Sequence, residues 1–120
     1  MPDSQDVEAT LTAEVRIAWV PRHRKSLFLE LADGPGAPAE FRLEKPEIVI
    51  GRDEHADIAV LSVKASRRHA SLRLRQDEYV LYDEGSRNGV FLNGLRIHSA
   101  TLRVGDVIQM ADLVFVYSEG

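Results

Sequence analysis

The sequence predicts an all-β antiparallel fold, a sandwich or a barrel, on three observations. No window of about eleven residues or more repeats its apolar positions at the helical spacing. About ten short runs rich in β-branched and aromatic residues follow one another closely, each bounded by turn residues. Two Asn-Gly dipeptides, Asn88-Gly89 and Asn93-Gly94, mark tight turns with positive φ at both central residues.

The elements are taken in chain order. Residues 1–12, acidic and polar, are expected to be a flexible N-terminal tail and carry neither a secretory nor a transit signal. Residues 13–25 form an N-terminal extension in which AEVRIAWV, stopped by Pro21, is a candidate for an added strand. LFLEL at 27–31 reads as a strand, and DGPGAPAE at 33–40 as a Gly/Pro loop incompatible with regular structure. FRL at 41–43 and EIVI at 47–50 are the next short strands. In HASLRLR, Ala70, Leu72 and Leu74 share one face while Ser71, Arg73 and Arg75 share the other. That period of two predicts one buried and one wet face, with Arg73 and Arg75 solvated. EYVLYD at 78–83 and LVFVYS at 113–118 are further strands; VFL, LRI, TLRV and DVIQM supply short ones between them.

Bulk properties narrow the function. A chain of 120 residues, 44% apolar and 28% charged, fits one globular domain. Without cysteine there is no disulfide, thiol catalysis or thiolate metal site, and a reducing compartment, the cytoplasm, is expected. No apolar run approaches the roughly 20 residues of a membrane helix, so no membrane partner is expected. The net charge of −4, from 15 basic and 19 acidic residues, lacks the basic excess of a nucleic-acid binder. Yet Arg52, Arg67, Arg68, Arg73, Arg75 and Arg87 cluster locally, which suits a small anionic ligand. Three loops carry residues that packing does not explain: GRDEHAD at 51–57, KASRRH at 64–69 and GSRNG at 85–89.

The order IGR, SRRHA, D-x-GSRNG-x-FLNG resembles the forkhead-associated (FHA) domain over about Ser26 to Tyr117, and the domain is placed at 26–118. The resemblance implies a two-sheet sandwich of about eleven strands that binds phosphothreonine peptides on loops at one end. Its signature residues stand here as Gly51-Arg52, Ser66, His69, Asn88-Gly89 and Asn93-Gly94. The chemistry agrees: phosphothreonine carries about −1.5 to −2 charges and three acceptor oxygens, and binding it needs converging donors. Arg52 supplies a guanidinium fork, Ser66 a hydroxyl, and Arg67 and Arg87 further donors from two loops. By the resemblance Asn88 lies against the peptide backbone and His69 is a buried brace. Gly51, Gly89, Asn93 and Gly94 shape the loops, Gly89 giving the sharp path and Asn93-Gly94 closing the next hairpin.

The partner expected is a phosphothreonine-containing protein or peptide in serine/threonine kinase signalling. No cofactor, metal, nucleic acid or catalytic activity is called for, and the isolated domain is expected to be a monomer. Val90 departs from the threonine common in the family, and LSVKA before Ser66 is more apolar than usual, with Lys64 adding a cation. These changes bear on peptide selectivity more than on phosphate binding. The alternative is an FHA-fold assembly module, as in a secretion apparatus, that binds no phosphate. A hydrolase built on Ser66, His69 and Asp83 fails on strand alternation, and His23, His55, His69 and His98 have no metal-ligand spacing. Thr10 and Thr12 in the tail are candidate phosphorylation sites that could fold back onto the domain.

Overall fold

The computed structural model describes residues 25–120, and the tail, the candidate strand at 13–20 and Thr10 and Thr12 lie outside them. The described chain holds eleven strands: β1 (Leu27–Asp33), β2 (Ala39–Arg42), β3 (Glu47–Gly51), β4 (Ile58–Ala59), β5 (Ala70–Arg75), β6 (Glu78–Asp83), β7 (Phe91–Leu92), β8 (Leu95–Arg96), β9 (Ser99–Thr101), β10 (Val107–Met110) and β11 (Leu113–Glu119). They form two sheets, one ordered β2-β1-β11-β10-β7-β8 and the other β4-β3-β5-β6-β9. Among the described residues no helix is long and apolar enough to cross a membrane.

The core is the alternate residues of facing strands. Leu27, Leu29 and Leu31 of β1 and Leu113, Phe115 and Tyr117 of β11 point inward from one sheet. Ile48 and Ile50 of β3, Ala70 and Leu72 of β5, and Tyr79 and Leu81 of β6 point inward from the other. Burying each large apolar side chain is worth about 1.5–3 kcal/mol, so this shared layer holds the sheets together.

The structure departs from the expected elements in several places. β2 begins at Ala39, inside the stretch assigned to the loop, because Ala39 and Glu40 pair with Leu31 and Glu30. Runs of two residues are too short to show a period, and β4 was not foreseen; it pairs with β3 in parallel, the exception to the antiparallel pattern. TLRV is a strand only at its start: Asp106 Oδ2 accepts the Arg103 N–H at 2.8 Å, which turns the chain away. On β5 the simple alternation fails at both ends. Leu74 is 37% exposed, next to the Gln76-Asp77 turn, whereas Ser71 is buried. Arg73 is only partly solvated: its guanidinium lies 4.4 Å from the Tyr82 ring centroid and 3.1 Å from Glu84.

Tyr117 gives a test of the packing. Burial pushes its phenol up to about 12. A folded-state value above the unfolded one, near 10, stabilises fully below pH 10 and is lost as pH rises toward 12. An alkaline absorbance titration should therefore show Tyr117 ionising only near pH 12, with stability falling between pH 10 and 12. Tyr117→Phe should flatten that fall.

Candidate functional site

Three connections meet at one end of the sandwich: residues 52–57 after β3, 60–69 before β5, and 84–90 after β6. The first two are joined by backbone. Arg52 N–H donates to the Ser66 carbonyl at 3.0 Å, and Asp53 N–H to the Arg67 carbonyl at 3.2 Å. Such contact requires a residue without a side chain at position 51. A Cβ on Gly51 would stand 1.9 Å from the Arg67 carbonyl oxygen.

His69 ties the second connection to the third. Its Nδ1 accepts the Ser66 N–H at 3.0 Å, so the ring proton sits on Nε2, which donates to the Gly89 carbonyl at 2.8 Å. The imidazole is fully buried. Removing it strands two backbone groups, each worth about 1–3 kcal/mol when left unpaired. His69→Ala should accordingly lower the urea midpoint and weaken ligand binding together, read by fluorescence of the folded domain.

The third connection adds its own bonds. Arg87 N–H donates to Ser66 Oγ at 3.1 Å, which leaves the hydroxyl proton of Ser66 free to be donated elsewhere. Asn88 Nδ2 donates to the Lys64 carbonyl at 2.8 Å and so holds the neighbouring loop, while its Oδ1 is left available. The two Asn-Gly pairs differ. Asn93 and Gly94 both have positive φ, 49° and 89°, and make the tight turn between β7 and β8. In the first pair only Gly89 does, at 84°, so Asn88 is a loop residue and not half of a hairpin turn.

The side chains of Arg52, Arg67, Arg87 and Asn88 are exposed, and Ser66 is half-buried among them. Arg52 Nε donates to the Ala65 carbonyl at 3.0 Å, which aims the guanidinium and leaves its terminal nitrogens open. Among the described residues no ion pair joins Arg52 to Asp53, Glu54 or Asp57. Asp57 is bonded to Lys45, whose ammonium holds the carboxyl below its usual range, helped by the Val49 N–H. Asp53 accepts the His55 N–H at 2.9 Å, and Glu54 lies 3.6 Å from the His55 ring. Among the described residues Arg52, Arg67 and Arg87 carry no ion pair to a carboxylate, so the three loops at this end present uncommitted cations together with the Ser66 hydroxyl.

The hydrolase geometry is not formed by its three candidates. His69 meets the Ser66 backbone and not its hydroxyl, and Asp83 Oδ1 accepts the Ser86 N–H at 2.8 Å. Sequence reasoning missed Ser86, whose Oγ accepts the Gly89 N–H at 3.0 Å and closes the turn under Asn88. The three-residue spacings Asp83-Ser86 and Ser86-Gly89 were the available signal. It also missed Ser62, fully buried and bonded to Asp112 across the sandwich. Val90, in place of threonine, is fully buried beneath the loop.

The FHA-domain family model matches residues 48–111. The oxoglutarate dehydrogenase inhibitor of Corynebacterium efficiens is 37% identical over 95 residues, 79% of this chain and 67% of that protein. The glycogen accumulation regulator GarA of Mycolicibacterium smegmatis is also 37% identical over 95 residues, 79% of this chain and 60% of its own. The match therefore spans about two thirds or less of these relatives. A solved FHA domain from work on phosphothreonine-dependent FHA interactions superposes with a TM-score of 0.72 at 28% identity, covering 78% of this chain and 95% of that one.

Proposed function

The chain belongs to the FHA-domain family, and on that premise we propose that Arg52, Ser66, Arg67, Arg87 and Asn88 are its contacts to a phosphothreonine peptide. The protein is a phosphothreonine-dependent binding module in signalling. Arg52 takes two phosphate oxygens with its fork, the Ser66 hydroxyl donates to a phosphate oxygen, and Arg67 and Arg87 add charge from either side. Asn88 Oδ1 accepts a backbone N–H of the bound peptide.

The single observation that carries this reading is the Arg52 guanidinium, held by the Ala65 carbonyl with its remaining donors unneutralised beside Ser66. At an effective dielectric near 20, one unit pair at 4 Å contributes roughly 4 kcal/mol before desolvation. A few such contacts support micromolar affinity, about −8 kcal/mol. Binding needs no bond making, so the module acts without catalysis. Its partners are targets of serine/threonine kinases, met in the cytoplasm, and it works as a regulator by occupying them. Gly51, His69, Gly89, Asn93 and Gly94 keep the contacts in place.

The experiment is calorimetry with matched peptides carrying phosphothreonine, phosphoserine or plain threonine. Heat with the phosphothreonine peptides and little with the others supports the reading. Equal, negligible heat across a broad set would leave an assembly module that ignores phosphate.

A further inference from the structure

Several cations of the described chain are committed to carboxylates: Arg42 to Glu44, Lys45 to Asp57, and Arg73 to Glu84. Arg96 is not. It is exposed, and among the described residues no carboxylate lies within ion-pair reach. Its head group nevertheless lies close against Gly89. Arg96 Nε, Cζ and Nη2 stand 2.8, 3.0 and 3.3 Å from the point that a Cβ on Gly89 would occupy. The guanidinium therefore lies against the backbone of the loop that presents Asn88, in space that only glycine leaves open.

The ladder shows what lies beside it. Arg96 pairs with Phe91, and Phe91 with Gln109, so the three side chains form a row on the outer face of their sheet. Phe91 and Gln109 also line a cavity of about 370 Å³ together with Lys64, Asn88, Ala111 and Asp112. The Asp112 carboxylate is bonded to Ser62. Asn88 and Phe91 border this cavity, and Arg96, paired with Phe91 and packed beside Gly89, stands next to both. A guanidinium whose face is turned to the Gly89 Cα keeps its edge N–H groups for an anion.

We infer that Arg96 is a second anion contact, so that the preferred ligand carries an anionic side chain in addition to its phosphothreonine. The inference rests on the phosphothreonine reading above. The shared chemistry is an oxyanion, from a carboxylate or from a second phosphate.

The test uses the full chain and phosphothreonine peptides with alanine flanks. One Asp, or in a second series one phosphoserine, is placed in turn at each of four positions on either side. Affinity by fluorescence anisotropy is expressed as the ratio of acid-flanked to alanine-flanked peptide. Wild type should show a ratio of about two- to fivefold at one or two neighbouring positions, the range of exposed ion pairs, shrinking in high salt. In Arg96→Gln that ratio should fall to one, while Arg75→Gln, with the same change of charge elsewhere, should keep it. The Asp and phosphoserine series separate a carboxylate from a phosphate as the anion read. A flat wild-type profile, or a ratio that survives Arg96→Gln, overturns the inference. Loss of all discrimination between phosphorylated and plain alanine-flanked peptides would instead overturn the reading beneath it.

Discussion

Arg52→Ala should weaken phosphothreonine-peptide binding by about 2–5 kcal/mol, roughly thirtyfold to several thousandfold, while leaving the fold intact. The size follows from what remains. Truncation leaves a doubly charged phosphate facing Ser66, Arg67 and Arg87 with its bidentate partner gone. The effect on stability should be small, because Arg52 is exposed and its side chain makes one bond to the frame, to the Ala65 carbonyl. The backbone bond from Arg52 to Ser66 survives any side chain. Arg52→Lys separates charge from shape: an ammonium keeps the charge and loses the fork, and it should recover only part of the affinity. Calorimetry beside a thermal melt reads both quantities. Loss of binding with an unchanged melt is the expected pair.

Gly51→Ala should do the opposite, damaging the scaffold first and binding as a consequence. The added methyl would stand 1.9 Å from the Arg67 carbonyl oxygen, 2.6 Å from its carbon and 3.1 Å from the Arg68 Cα. These are backbone atoms, so no rotamer change relieves the contact. The two loops must separate, and the bonds from Arg52 and Asp53 to Ser66 and Arg67 go with them. Overpacking of this kind costs about 1–3 kcal/mol, and for a domain of this size each kcal/mol lowers the melting temperature by about 4–8 °C. A fall of roughly 4–24 °C with strongly reduced peptide binding is expected. Gly85→Ala is the control. Gly85, unlike Gly51, has a positive φ, 75°, but a Cβ there meets nothing within 4 Å, so only local backbone strain applies and no loop contact is lost.

The parts of the site legible in the sequence are those whose chemistry is carried by a short motif. Gly-Arg after a strand, Ser-x-x-His, and Ser-Arg-Asn-Gly are each short enough to be read locally, and together they named Arg52, Ser66, His69 and Asn88, although the bonds that join their loops span 13 to 24 residues. What escaped depends on chain segments meeting from afar. Ser62 and Asp112 are 50 residues apart, and neither is marked until β10 and β11 bring their turn beside the second loop. Asn88 was assigned to the peptide, and its amide holds the Lys64 carbonyl, a backbone atom that no side-chain pattern reports. The same limit governs the fold. Long alternating strands such as β6 were readable end to end. A two-residue parallel strand, and positive-φ turns at Gln76-Asp77 and Ala111 without glycine, leave no periodic or compositional trace.

The most direct measurement is an amide chemical-shift map of the labelled protein titrated with one phosphothreonine peptide and its plain counterpart. If the cations of the three loops together take up the phosphate, the largest changes fall on Arg52, Ser66, Arg67, Arg87 and Asn88. Gln76 and Asp77, in the turn between β5 and β6, should report nothing. Equal shifts with both peptides, or a response centred away from those loops, would contradict it.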